Sequence, residues 1–326
     1  MSIDYPARRG GFQGQETLKI TRISRSGYND PMSNPSKTLV LTAGSLGDCV
    51  LTLPALQILQ GQGPVTVAGT WPYVQLGSSL LNVEQVVPFE TLSQILHSDS
   101  LLDESFWGGF TNIYLLLKDK DDKITERLKS FKSLTIHQPI EPFEEFLKKE
   151  KWAGDYWLGL VQPNRTPGET IPASRLNITP EVKERGALLC EFLGVTNPLV
   201  IHPGSGSPAK NAPLSFFRKA AEKAVQESGT DVLVIWGDAE FDNLNEIQET
   251  FKGLEKVKVL PDLLMLRDLP AILSQARGYL GNDSGVTHLA SACGIRTFAV
   301  FNTTDSRIWG PQEAIILAAT QTLYQK

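Results

Sequence analysis

The chain has 326 residues, 41% of them hydrophobic and 21% charged, with a formal net charge of -5. That length exceeds what one core usually serves and predicts two globular domains of roughly 150 residues each. The acidic balance argues against general attraction to nucleic acid, no apolar run reaches the roughly 18 residues of a membrane span, and the polar start lacks the order of a secretory signal.

Cys49, Cys190 and Cys293 are far apart, odd in number and without a C-x-x-C pair. They read as free thiols of a reducing compartment, which predicts a cytoplasmic protein. His97, His137, His202 and His288 are the only histidines, and none has H-x-x-x-H spacing, so no zinc site is expected.

Residues 1–37 read as an N-terminal extension rich in glycine and proline, with one candidate edge strand around Leu18, Ile20 and Arg22. From Thr38 onward, apolar runs of strand length alternate with amphipathic stretches of helix length, the pattern of an α/β protein with parallel sheets. Leu39 to Thr42 predicts a strand, Asp48 to Gln60 a helix stopped by Gly61, and Val65 to Ala68 and Asn112 to Leu117 two further strands. The first domain is expected over 38–180, ending near the proline-rich stretch Gln162 to Pro180. The second, over 181–326, repeats the grammar. Its predicted strands are Leu199 to His202, Val232 to Trp236, Tyr279 to Asn282 and Thr297 to Phe301. Its predicted helices are Leu214 to Gln226, Leu269 to Ala276 and Val286 to Cys293.

Ligands of such sheets bind beyond the carboxyl ends of the strands, so the turns that follow strands are the places to search. The first is Ala43-Gly44-Ser45-Leu46-Gly47-Asp48, with glycines that admit a substrate and a carboxylate at a helix start. Asp48 reads equally as a helix cap or as a general base. The second, Pro203 to Pro213, offers Gly204, Ser205 and Gly206 to phosphate oxygens and adds the charge of Lys210. Its Gly204-x-Gly206-x-x-Ala209 spacing also matches a dinucleotide fingerprint, but Pro208 interrupts it and no acidic residue ends a strand about twenty positions on. The third, Gly281 to His288, opens a helix whose first amides at Ser284, Gly285 and Val286 suit an anion. Asp283 there reads as an N-cap or a ribose contact, and His288 shares a face with Ser284. Trp236 to Glu240 ends another strand, and Glu240 reads either as an acceptor for ribose hydroxyls or as a solvated loop carboxylate. Asp119-Lys120-Asp121 formally spells a metal-binding D-x-D, but it lies in a mixed charge run that reads as solvated surface.

Read together, Leu39 to Asp48 with Leu51 to Leu56, His202 to Ser207 with Lys210 and Pro213, Gly281 to Gly285 with His288 and Leu289, and Thr304-Asp305 with Trp309-Gly310-Pro311 resemble the heptosyltransferase family, glycosyltransferase family nine of lipopolysaccharide synthesis. The resemblance spans about residues 38 to 311. It implies a GT-B architecture, two Rossmann-like doubly wound domains facing a central cleft, with the donor held by the C-terminal one and the acceptor by the N-terminal one. It further implies inverting, metal-independent transfer from a nucleotide diphosphate sugar, with no separate cofactor. Asp48 would then be the base and Lys210 the phosphate contact. Gly204, Ser205, Gly206, Glu240, Asp283, Ser284, Gly285 and His288 would line the donor, and Gly47 with Asp48 the acceptor side.

In the family, the sugar is heptose from ADP-heptose and the acceptor a glycolipid such as lipopolysaccharide core, which would bring a cytoplasmic enzyme to the inner membrane surface. An inactive nucleotide-sugar binding homologue and an NAD-dependent oxidoreductase are the rival classes. Three departures stand out. Ala212 replaces the tryptophan usual before Pro213, which is expected to loosen the Lys210 loop. The stretch from Pro311 to Lys326 leaves room for only a short final helix. No basic cluster for an acidic acceptor is evident in the first domain beyond Lys118 to Lys132.

Overall fold

A computed structural model describes residues 38–90, 107, 109–117, 123–129, 134–165 and 170–318. The N-terminal extension with its candidate strand, His97, and the Asp119-Lys120-Asp121 run lie outside the described residues.

Two parallel sheets form the frame. In the first, β1 (Thr38–Thr42), β2 (Val65–Gly69), β3 (Gln85–Pro88), β4 (Asn112–Leu116) and β5 (Thr135–His137) stand in the order β3-β2-β1-β4-β5. In the second, β6 (Leu199–His202), β7 (Val232–Val234), β8 (Val257–Val259), β9 (Gly278–Asn282), β10 (Thr297–Phe301) and β11 (Ile315–Ala318) stand in the order β11-β10-β9-β6-β7-β8. The chain works outward in one direction from β1 and from β6, then returns to lay down β4 and β9 on their other sides. Each sheet therefore has a switch point, β1/β4 and β6/β9, and a crevice opens at the carboxyl ends there.

Burial on both faces explains why the central strands read as continuous apolar runs. In β1, Leu39 and Leu41 pack with Ile113, Leu115 and Trp107 on one face, while Val40 packs on the other with the helix that follows. That helix, α1 (Leu46–Gln60), is buried along most of its length, from Cys49 to Leu56 and again at Leu59. Pro54 lies inside it and has no N–H for the Val50 carbonyl one turn earlier. The Ser174 hydroxyl supplies the missing donor at 3.0 Å.

Ser174 belongs to a strap that joins the two sheets. Asn177 N–H donates to the Leu80 carbonyl at the end of α2 (Trp71–Leu81), and Leu176 N–H donates to Ala292 in the second half, at 2.8 and 2.9 Å. The chain returns near its end, where the Trp152 indole donates to Gly310 O at 3.0 Å and Ala153 N–H to Ile308 O at 2.8 Å, next to α3 (Gly154–Val161). After the strap, α4 (Pro180–Leu193) packs on Leu269–Leu273, and a Cβ on Gly186 would meet Ala271 O at 2.1 Å, so only glycine admits that approach.

Several boundaries differ from the sequence reading. α1 begins at Leu46 rather than Asp48 because Ser45 is its N-cap. The strand predicted to reach Trp236 ends at Val234, and the predicted helix Leu269 to Ala276 ends at Leu273 after a 3₁₀ turn at Leu266–Asp268. The helix after the second turn, α5, runs Leu214–Ser228, and the helix after the third, α6, runs Gly285–Ala292. Among the described residues no helix is long and apolar enough to cross a membrane.

Candidate functional site

The two crevices share one cleft of about 620 Å³. Its floor is the contact between the first turns of α1 and α6. A Cβ on Gly285 would lie 2.8 Å from Leu46 Cβ and 2.9 Å from Gly47 N, so glycine at 285 is what lets the helix starts meet. Both helix N-termini thus open on the same space, where unpaired amides favour negative charge.

On the first-half wall, Asp48 is the third residue of α1, and its Oδ2 accepts both the Ser45 N–H and the Ser45 hydroxyl at 2.8 Å. This is a capping box, with the acidic member at N3 rather than at the cap itself. Among the described residues Oδ1 accepts no hydrogen bond, so the cap occupies one oxygen and leaves the other for a substrate proton. Gly44 makes room for the carboxylate: its φ is +140°, and a Cβ there would meet Asp48 Cβ at 2.6 Å. The adjacent Cys49 is no rival base, because burial pushes its thiol far up.

On the second-half wall, Lys210 closes a short 3₁₀ turn, Pro208–Lys210, and its Nζ lies 2.8 Å from Asp283 Oδ2. Asp283 is not the N-cap of α6. Ser284 is, accepting the Thr287 N–H at 3.4 Å, while Asp283 also accepts the Thr304 hydroxyl at 2.5 Å. Asp283 therefore holds the cation of one turn from the start of another. The expected loosening at Ala212 is not seen: Ala212 is buried, its N–H donates to Asn282 Oδ1 at 2.9 Å, and Asn282 Nδ2 donates to Pro203 O at 2.6 Å. The wholly buried Asn282 thus clamps both ends of the Lys210 loop. Ser205 lines the cleft, but its hydroxyl is turned to Ser207 O and Asn211 Oδ1, so it shapes the loop instead of offering a free donor.

Glu240, 5% exposed, sits in a 3₁₀ turn beyond β7, and its Oε2 accepts the Gly237 N–H at 2.8 Å and lies 3.2 Å from His202 Nε2. Burial opposes its ionisation, but the hydrogen bond and charge of His202, with the amides of Gly237 and Glu240, outweigh that and hold the carboxyl below the usual range. Gly204 is not in the wall, yet it matters there, since a Cβ would fall 1.9 Å from Glu240 Oε1. His288 stands between the two walls. Burial first, then Lys210, lower its imidazole to about 4 against the opposing pull of Asp283 and Asp48, so the ring is neutral near pH 7.

The cleft therefore gathers Gly47, Asp48, Ser205, Gly206, Lys210, Glu240, Asp283, Ser284, Gly285 and His288, the residues singled out from sequence apart from Gly204. It also contains residues that sequence reasoning did not assign to a site: Ser45, His202, Thr304 and Trp309. Among the described residues there is no cluster of three or more metal-ligating side chains.

Residues 176–325 match the family model "Glycosyltransferase family 9 (heptosyltransferase)". Somewhat under half of the chain is thus similar to that family. Lipopolysaccharide heptosyltransferase 1 of Pseudomonas aeruginosa is 32% identical over 112 residues, which cover 34% of this chain and 30% of that protein. The matched stretch is thus under a third of the curated relative. Among solved structures, the glycosyl transferase family 9 protein of Veillonella parvula aligns with a TM-score of 0.69 at 16% identity, over 87% of each chain. The E. coli ADP-heptose lipopolysaccharide heptosyltransferase II aligns with a TM-score of 0.67 at 16% identity, over 86% of this chain and 90% of that one. At such identity the likeness establishes the fold, a GT-B pair of Rossmann-like sheets, and it extends over both halves.

Proposed function

We propose that this protein is a glycosyltransferase that moves a sugar from a nucleotide diphosphate donor to a hydroxyl of a glycan or glycolipid, with inversion at the anomeric carbon and without a metal. Heptose from ADP-heptose, delivered to lipopolysaccharide, is the leading pair, because these are the substrates that the relatives' names carry. One observation carries the reading: the free Oδ1 of Asp48 and the cation of Lys210 line a single cleft, with the start of α6 between them.

The chemistry needs those two poles. The acceptor oxygen attacks the anomeric carbon as Asp48 Oδ1 takes its proton, and the bond from that carbon to the diphosphate breaks on the opposite side. Negative charge grows on the leaving diphosphate, where Lys210 and the first amides of α6 meet it without a cofactor. Glu240 Oε1 is left to accept ribose hydroxyls. A glycolipid acceptor would be met at the cytoplasmic face of the inner membrane.

The test is transfer itself: purified protein, ADP-heptose and a lipopolysaccharide core lacking heptose, with release of ADP measured with and without EDTA. ADP formed only when both substrates are present, and undiminished by chelator, is the expected result. Stabilisation by ADP with no transfer to any core would leave a nucleotide-sugar binding protein. Stabilisation by NAD⁺ but not ADP would return the dinucleotide reading of Gly204 to Ala209.

A further inference from the structure

His202 ends β6, is almost fully buried, and is absent from the chemistry above. Its ring bridges two turns. Nε2 lies 3.2 Å from Glu240 Oε2, and Nδ1 lies 3.5 Å from the Ser284 hydroxyl that caps α6. An ionised carboxylate only accepts hydrogen bonds, so the nitrogen facing Glu240 must carry the proton. In the neutral ring the other nitrogen accepts, and the Ser284 proton turns to it.

The consequence lies at Glu240. Its Oε2 is taken by His202 and by the Gly237 amide, and its Oε1 stands where a Gly204 side chain would be. We infer that His202 is a positioning residue for the nucleoside end of the donor: by donating from Nε2 it fixes the Glu240 carboxylate so that Oε1 alone is presented to sugar hydroxyls. This rests on the nucleotide diphosphate reading of the cleft. A ring that only filled space could be replaced by another of similar shape without loss.

Three variants separate the cases. His202→Phe keeps bulk and removes both polar contacts, and ADP affinity should fall about tenfold, the effect of one hydrogen bond to a charged group. Binding of inorganic pyrophosphate, which has no ribose, should be retained, and this shows that the Lys210 side of the site is intact. His202→Gln keeps an amide donor toward Glu240 and should recover most of the ADP affinity. In Glu240→Gln protein the His202→Phe change should have little further effect on ADP. Nitrogen-15 spectra of the histidines, with the His202 signals identified by their loss in His202→Phe, should show the proton on Nε2 in the ligand-free protein.

A ring with no proton on Nε2, ADP binding by His202→Phe equal to that of the native protein, or equal loss of ADP and pyrophosphate would each overturn the inference. Native protein that binds pyrophosphate but shows no preference for ADP would instead remove the nucleotide reading, and the inference with it.

Discussion

Lys210 Nζ and Asp283 Oδ2 lie 2.8 Å apart, so the cation expected to meet a diphosphate already has a buried counter-ion on the opposite turn. The pair sets both the reach and the direction of the lysine. Lys210→Ala should weaken ADP binding roughly tenfold to a hundredfold, the range for losing a charge-assisted hydrogen bond. The melting temperature should also fall, because Asp283 keeps only the Thr304 hydroxyl. Titration calorimetry and thermal unfolding measure the two effects separately, and unchanged ADP affinity would contradict the assignment.

Asp48→Asn distinguishes a base from a cap. The amide oxygen of asparagine can still accept from Ser45, so the capping box survives in part and the loss of stability should be small. If Oδ1 takes the acceptor proton, turnover should drop by about 10² to 10⁴ while ADP affinity stays unchanged. A variant that retains half of native turnover would put the base elsewhere.

Gly285→Ala tests the contact between the helix starts. The new methyl would stand 2.8 Å from Leu46 Cβ and 2.9 Å from a backbone nitrogen, neither of which is the end of a flexible chain. The expected cost is about 1–3 kcal/mol, read as a lower denaturant midpoint with an unchanged slope. Gly206→Ala, with nothing within 4 Å of the added atom, is the control and should leave stability near native.

His288 predicts how stability depends on pH. Its folded pKa of about 4 lies below the unfolded value of 6.5, so below pH 6.5 the unfolded chain binds the extra proton. The neutral ring's contribution is complete above 6.5 and is lost progressively as pH falls toward 4, by an amount on the order of 3 kcal/mol. His288→Gln should flatten that window in urea unfolding from pH 7 to pH 4.5. An equally steep decline in the variant would assign the effect to other groups.

The three turns were legible because each follows a buried strand and combines glycines with a charge, and the order of strands places such turns at the switch points. Partners distant in the chain were not legible. Asp283 and Ser284 are both good caps by type, and Lys210 and Thr304, brought in from other turns, hold the aspartate away from the cap. His202 receives no role from local pattern, because its partner Glu240 lies 38 residues further along the chain. Asp48 reads as a helix start from local pattern, yet Ser45 opens the helix and moves the carboxylate to the third position. β3 and α2 were missed for compositional reasons: β3 is short with exposed Gln85 and Pro88, and α2 carries Pro72 and a kink at Gly77.

Every ladder among the described strands is parallel, and this governs how the molecule reaches its native state. Parallel neighbours cannot zip up from a tight hairpin, and each must wait for an intervening crossover. The central strand β1 meets β4 across 74 residues, at Thr42 and Leu116, and the β6 and β9 turns meet across 79, at Pro203 and Asn282. Such distant closures make for slow renaturation. They also join the very strands that carry Asp48, Lys210 and Asp283, so during refolding nucleotide binding should recover only after most of the helical signal has returned.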